Sequence, residues 1–131
     1  MRIKTGYKEL VARAEKEIET ISPEQAIESF GDDGSVFIDL RDIRELKREG
    51  KIPGARHVPR GMLEFWIDPE SPYHKPLFTE PKRFIFYCNL GWRSALATQT
   101  AQMMGVENVC HIRGGFDAWT EAGGQVEEVK K

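Results

Sequence analysis

Cys88 and Arg93 stand five positions apart in the run Cys88-Asn89-Leu90-Gly91-Trp92-Arg93-Ser94, with a glycine between them. A thiolate is a strong nucleophile, but a free thiol with a pKa of about 8.5 is mostly protonated at neutral pH. Unpaired backbone N–H groups and a fixed guanidinium shift that balance toward the thiolate. A turn that curls around its own first residue supplies the amides, Gly91 removes a Cβ from the crowded inside, and Arg93 supplies the cation. Such a site suits nucleophilic attack by Cys88, with the charged product held in the nest from Asn89 to Ser94. An isolated cysteine would read as a buried structural residue. Here the strand before it, the glycine turn, the arginine and the helix after it favour the nucleophile.

The elements around Cys88 must hold it still. Phe84 to Tyr87 are aromatic or β-branched and read as a buried strand, and Ala95-Leu96-Ala97 with Ala101-Gln102-Met103-Met104 carries helical spacing up to Gly105 as C-cap. Cys88 therefore sits at the carboxyl end of a strand, where open α/β sheets gather their ligand-binding groups. Val36-Phe37-Ile38 is too continuously apolar for a one-sided sheet, so it reads as a second buried strand ending at Asp39. That end brings Asp39, Arg41 and Glu45 toward the Cys88 loop. The competing reading makes Arg41 and Glu45 a surface ion pair on a short helix, worth little in stability. Ala55 to Val58 reads as a short strand and Asn108 to Ile112 as another, with Cys110 in its core. Ser22-Pro23-Glu24-Gln25 carries an N-cap, a proline at the first helical position and a capping-box glutamine. Strands alternating with short helices predict an α/β fold, a three-layer sandwich with a central parallel sheet flanked by helices.

Four stretches resemble the rhodanese-like family of single-domain sulfurtransferases. Cys88 to Ser94 is similar to its active-site loop, and Phe37-Ile38-Asp39-Leu40-Arg41 with Glu45 to its strand-end Asp-x-Arg and acidic segment. Gly50-Lys51-Ile52-Pro53-Gly54-Ala55 resembles its Gly-x-Ile-Pro-Gly-Ala turn, although Lys51 stands where histidine is common. Arg113-Gly114-Gly115-Phe116-Asp117-Ala118-Trp119 resembles its closing Gly-Gly-Phe-x-x-Trp. The resemblance covers roughly Ile21 to Gly124. It implies the same fold and a Cys88 persulfide that carries sulfur from a donor such as thiosulfate to a thiol, cyanide or a sulfur-accepting protein. No cofactor is implied. In that setting Asn89, Leu90, Gly91, Trp92, Arg93 and Ser94 form the anion-binding loop, and Asp39, Arg41 and Glu45 line or brace it.

The 131 residues, with 40% hydrophobic and 31% charged side chains and a net charge of -2, describe one globular domain without the basic excess that nucleic acid or an anionic membrane would require. Two cysteines at this spacing match neither a disulfide framework nor a zinc site, and His57, His74 and His111 each lack a second ligand at metal spacing. The expectations are a chain without metal or membrane span, at home in the reducing cytoplasm. The three histidines read as solvated side chains. Tyr7, Leu10, Val11, Ala14 and Ile18 form one stripe, so residues 1–20 are expected to be an amphipathic helix packed on the domain; a partner-binding helix is the alternative. Residues 21–124 form the domain, and 125–131 a polar tail too charged to pack fully.

The connection from Gly61 to Pro81 is long. Asp68 to Pro76 is too rich in proline and polar residues to be regular, while Leu63, Phe65, Trp66 and Phe78 provide apolar anchors. Two readings stand: Arg60 to Phe78 folds over the Cys88 loop as an ordered wall, with Arg60 attracting an anionic donor, or the segment covers a sheet edge with Arg60 solvated. The function also has rivals. A Cys-to-Arg loop around an oxyanion serves cysteine phosphatases too, but those related to this fold have a loop one residue longer, and no aspartate follows closely here as general acid. A non-catalytic binding module is the third reading, which retention of the cysteine disfavours.

Overall fold

The computed structural model describes residues 1–130. Its strands are β1 (Glu19–Ile21), β2 (Ser35–Asp39), β3 (Arg56–His57), β4 (Arg83–Tyr87) and β5 (Val109–Ile112). Its α-helices are α1 (Tyr7–Glu17), α2 (Pro23–Ser29), α3 (Ile43–Glu49), α4 (Leu63–Ile67), α5 (Trp92–Met104) and α6 (Gly115–Glu121). The strands form one sheet in the order β1-β5-β4-β2-β3, every pair parallel. β4, which leads into Cys88, is central, and the expected three-layer α/β sandwich is what forms.

Alternation along the buried strands divides the core in two. Ile38, Leu40, Phe84 and Phe86 point to one face, with Leu63, Ile67, Leu77, Phe78, Ala97 and Ala101 packed on them. Phe37, Ile85, Tyr87, Cys110 and Ile112 point to the other, under Ala26, Phe116 and Trp119. Thus α4 and α5 cover one face, α2 and α6 the opposite one, and α1 lies along α5. Ser22 caps α2 as expected, its Oγ accepting from Gln25 N at 3.1 Å while Gln25 Oε1 accepts from Ser22 N at 2.8 Å. The strand β1 escapes the sequence reading because Glu19-Thr20-Ile21 is only three residues long and not an apolar run.

The long connection is ordered. Leu63, Ile67, Leu77 and Phe78 are buried, joining the cluster under α5, while Lys75 Nζ sits 4.3 Å from the centre of the Trp66 ring. Short 3₁₀ turns at Arg60–Met62 and Pro76–Thr79 bracket it, and Asp68 to Lys75 is irregular as expected. It forms part of the layer on one sheet face, and a cleft of about 760 Å³ separates it from the edge strand β3, lined in part by Arg56, His57, Trp66 and Lys75. The tail keeps most of its side chains exposed but is tied down by its backbone: Gln125 O accepts from Trp119 Nε1 at 2.8 Å, and Glu127 exchanges backbone hydrogen bonds with Lys51. The backbone, which is charge-indifferent, makes these contacts. Lys131, the last residue of the expected tail, lies outside the described residues.

Candidate active site

β4 ends at Tyr87, and the chain turns at once around the Cys88 sulfur. Gly91, at φ 99°, stands in the left-handed region that only glycine enters cheaply and starts α5. Its α-carbon faces Gly114 N, which a Cβ would approach to 3.3 Å, so the turn is pressed against the backbone before α6. The result aims donors inward: Gly91 N–H and Ser94 N–H point at Cys88 Sγ over 3.2 and 3.4 Å, and Ser94 Oγ lies 3.6 Å from it. The sulfur also lies at the positive end of the 13-residue α5. Cys88 is 1% exposed. The N–H groups of Gly91 and Ser94 thus converge on the sulfur from the turn that the sequence placed between Cys88 and Arg93.

Glu45 holds Arg93 by both terminal nitrogens, at 2.8 and 3.0 Å. Glu45 is itself placed by its helix. Asp42 caps α3, and Glu45 Oε2 accepts from Asp42 N–H at 3.0 Å, closing a capping box. One carboxylate thus fastens the start of α3 and the end of the Cys88 loop. Its hydrogen bond from Arg93 holds the Glu45 carboxyl below the usual range, against the opposing effect of burial. Glu45 thus pairs with Arg93, and not with Arg41 as a surface ion pair would have it.

Asp39 and Arg41 lie deeper than either sequence reading placed them. Both side chains are fully buried. Arg41 Nε and one terminal nitrogen bond the two oxygens of Asp39 at 3.0 and 2.7 Å, and that terminal nitrogen also donates to Gly50 O at 2.8 Å. The guanidinium carbon sits 4.4 Å from the centre of the Phe116 ring. A surface ion pair is excluded for Arg41, because a desolvated pair joins the end of β2 to the turn after α3 and to α6. Tyr87 completes this layer, its hydroxyl accepting from Ile52 N–H at 3.1 Å.

From below, α6 clamps the loop. Phe116 N–H donates to Cys88 O at 2.8 Å and Asp117 N–H to Asn89 O at 3.2 Å. Gly115, at φ 62°, allows this approach: a Cβ there would lie 2.5 Å from Cys88 O and 2.6 Å from Asn89 O. The Gly-Gly-Phe stretch therefore holds the backbone of the Cys88 loop directly.

The histidines depart from their solvated reading. His111 is 1% exposed, with Nδ1 2.9 Å from Ser94 Oγ and Nε2 3.1 Å from Thr20 Oγ1. Burial, with the Arg113 charge nearby, lowers its pKa to about 4, so it is neutral at physiological pH. His57 is half-buried, its Nε2 2.6 Å from Arg41 O, and His74 is also only partly exposed. A histidine set between Cys110 and Ile112 in a fully buried strand was the available signal for a polar partner behind the loop. Cys110 is buried as expected, and burial pushes its thiol up to about 11.

Around the mouth, Leu90 and Trp92 are about half exposed, and Tyr7 of α1 packs against Trp92 with ring centres 4.9 Å apart. The N-terminal helix, expected to pack on the domain, thus also borders the loop. Arg60 donates its backbone N–H to Leu40 O at the carboxyl edge of the sheet, but its guanidinium is paired with Glu64 at 3.0 Å. Among the described residues no group of three or more His, Cys, Asp or Glu side chains is gathered as for a metal, and no helix is long and apolar enough to cross a membrane.

A family model described as Rhodanese-like domain matches residues 22–122. The thiosulfate sulfurtransferase GlpE of Pseudomonas putida strain GB-1 is 30% identical over 103 residues, 79% of this chain and 86% of that protein. A mouse thiosulfate sulfurtransferase/rhodanese-like domain-containing protein 3 is 29% identical over 89 residues, 64% of this chain, and only 57% of that protein's length is spanned. A solved structure from Rhodopseudomonas palustris, described as a protein of unknown function and possible tyrosine phosphatase, is 52% identical with a TM-score of 0.94, over 97% of this chain and 98% of that one.

Proposed function

Because the chain belongs to the rhodanese-like domain family, we propose that it is a sulfurtransferase working through a persulfide on Cys88. The observation that carries this reading is the set of donors aimed at Cys88 Sγ, from Gly91 and Ser94, behind a loop locked by the Arg93–Glu45 pair. The Cys88 thiolate attacks the outer sulfur of a donor such as thiosulfate. The donor's S–S bond breaks, and sulfite leaves with the bonding pair. The outer sulfur of the resulting persulfide bears the negative charge, which the loop amides stabilise. A thiolate or cyanide acceptor then attacks that outer sulfur and expels Cys88 as thiolate, yielding an acceptor persulfide or thiocyanate. The sulfur travels as a covalent adduct and the cycle closes without net oxidation, so it calls for no cofactor. Both cysteines are free, which suits a reducing compartment, and we place the chain in the cytoplasm. The exposed Leu90 and Trp92 beside the sulfur fit a bulky acceptor, a sulfur-accepting protein among them.

Intact mass after incubation with thiosulfate tests this. The expected result is one added sulfur atom, lost on addition of cyanide with release of thiocyanate, absent in Cys88→Ser and retained in Cys110→Ser. An unmodified Cys88 would remove the sulfurtransferase reading and leave a binding module. A second reading, phosphatase, is favoured by the description of the Rhodopseudomonas palustris relative. The short loop, with four residues between Cys88 and Arg93, argues against it. Cys88-dependent hydrolysis of an aryl phosphate would reverse that ranking.

A further inference from the structure

The thiol proton of Cys88 has an exit problem. The side chain is 1% exposed, and Gly91 and Ser94 turn only N–H groups toward it, which donate and cannot accept. Among the described residues the one hydrogen-bond acceptor within reach of Sγ is Ser94 Oγ, at 3.6 Å. Behind that hydroxyl stands His111 Nδ1, at 2.9 Å, and behind its other nitrogen Thr20 Oγ1, at 3.1 Å. Glu15 of α1 lies 3.8 Å from His111 Nε2 and is 44% exposed, so the line runs from the buried sulfur across α5, β5 and β1 to a carboxylate in water.

We propose that Ser94, His111 and Thr20 form a proton relay that carries the Cys88 proton out to Glu15 and solvent and leaves the Ser94 hydroxyl aimed at the thiolate. In the thiol state S–H donates to Ser94 Oγ, Ser94 O–H donates to His111 Nδ1, and His111 Nε2–H donates to Thr20 Oγ1. When the thiol ionises, its proton passes to Ser94 Oγ, the former Ser94 proton passes to Nδ1, and the Nε2 proton passes to Thr20 Oγ1, whose own proton leaves toward Glu15 and solvent. The end state has Ser94 O–H donating to the sulfur, Nδ1–H donating to Ser94 Oγ, and Thr20 O–H donating to Nε2. Only the sulfur has lost a proton, and every polar atom in the line is still paired. The imidazole has exchanged one neutral tautomer for the other, which is what a buried neutral ring with a partner on each nitrogen is suited to do. Histidine suits the place because a neutral imidazole accepts on one nitrogen while donating from the other and can exchange the two roles.

The groups facing His111 are few. Ser94 comes from α5, Thr20 from β1, Glu15 from α1 and Arg113 from the end of its own strand, while β4 sets Phe86 opposite it in register. Glu15 and Arg113 have opposite charges, and neither makes a hydrogen bond to the ring. His111 acts through Ser94 and is a positioning residue.

The inference deepens the sulfurtransferase reading, on which it rests for taking Cys88 as the nucleophile. Its test uses iodoacetamide, which needs no sulfur donor. The rate of Cys88 alkylation, followed by mass spectrometry across the pH range, is compared in the full chain and in Ser94→Ala, His111→Phe and Thr20→Val, each checked for folding by circular dichroism. Losing the Ser94 donor to the thiolate raises the midpoint of the pH–rate profile by about one pH unit in Ser94→Ala, losing the Nδ1–H that supports that hydroxyl raises it by a similar amount in His111→Phe, and Thr20→Val raises it by roughly half as much. A merely structural His111 would lower the melting temperature and leave the midpoint in place. Should His111→Phe not fold, Ser94→Ala and Thr20→Val probe the two ends of the line. Unmoved midpoints in folded Ser94→Ala and Thr20→Val, or a shift in Ser94→Ala alone, overturn the relay. Shifted midpoints in a chain that takes up no sulfur keep the relay and sink the sulfurtransferase reading; sulfur uptake with unmoved midpoints does the reverse.

Discussion

Gly115→Ala offers a direct measure of how tightly the Cys88 backbone is held. Two costs combine at this position. The first is conformational: at φ 62° an alanine sits in the left-handed region, at roughly 1–2 kcal/mol. The second is contact with main-chain atoms that cannot swing aside, because the new Cβ would lie 2.5 Å from Cys88 O and 2.6 Å from Asn89 O. Relief requires the loop to withdraw from α6 by the better part of an ångström. That stretches the bonds from Phe116 N–H to Cys88 O and from Asp117 N–H to Asn89 O, now 2.8 and 3.2 Å, beyond useful length. Two such bonds are worth about 1 kcal/mol each, so the total destabilisation is about 3 kcal/mol, or roughly 10 °C in melting temperature for a chain of this size. Gly123→Ala supplies the control, since its φ of 92° carries the conformational cost while nothing lies within 4 Å of the new Cβ. Urea unfolding of both variants separates the terms, and Cys88 sulfur uptake in Gly115→Ala, measured well below its melting point, should fall at least as steeply as stability. Equal destabilisation by the two substitutions would refute the clamp and leave Gly115 a turn residue like any other.

Arg93→Lys keeps the charge but loses the planar fork that meets both Glu45 oxygens; folding should survive while sulfur transfer falls by about tenfold or more, and full turnover would reduce Arg93 to a point charge. Acid should destabilise the fold through His111. Its pKa is lowered in the native state to about 4 from an ordinary 6.5, so the unfolded chain binds the extra proton and stability is lost as pH falls through that window, by about 2 kcal/mol between about pH 7 and about pH 5. His111→Gln should flatten that part of the urea-denaturation profile, and an unchanged slope would show that other groups set it. Arg60→Ala should raise the Michaelis constant for thiosulfate only slightly, by about threefold at low salt and less at high salt, because Glu64 already offsets the Arg60 charge. Kinetics that ignore both the substitution and the salt would confine Arg60 to supporting the long connection.

Local rules carried the sequence reading as far as they act. The Ser22 capping box, the left-handed Gly105 after α5 and the buried runs of β2 and β4 depend on residues a few positions apart, and each formed as patterned. The Cys88 turn was legible for the same reason. Non-local partners were harder to see. One of the two readings made Arg41 half of a surface pair because arginine is rarely buried, yet Asp39, two residues before it, and Gly50 O satisfy most of its hydrogen-bonding capacity in the interior. His111 could not be matched to Ser94 and Thr20 from sequence, since the three come from β5, α5 and β1 and meet only when β1 takes the edge beside β5. The long connection showed its anchors but not their target: Leu63 and Phe78 could have reached either the loop mouth or the sheet face, and the face under α5 offered the larger apolar area.

The pairing of Arg93 bears on what the loop can hold. Both its terminal nitrogens are engaged by Glu45, so the pair is close to neutral as seen from the sulfur, and the attraction for a charge on Cys88 comes largely from N–H groups and the start of α5. Dipoles of that kind favour a single, compact negative charge within hydrogen-bond reach. They do less for a phosphoryl group held on the sulfur, whose three outer oxygens a free guanidinium fork would grip in pairs. A persulfide on Cys88 would carry one charge on one sulfur, the kind of charge that such dipoles hold. A phosphorylated cysteine would need Arg93 to turn from Glu45 or share it, and would loosen the brace that holds α3 against the loop. Releasing the brace by Glu45→Gln should therefore lower sulfur transfer while any hydrolysis of an aryl phosphate stays the same or rises. A parallel loss of both activities would show that Arg93 must be clamped for either chemistry, and that the pairing does not separate them.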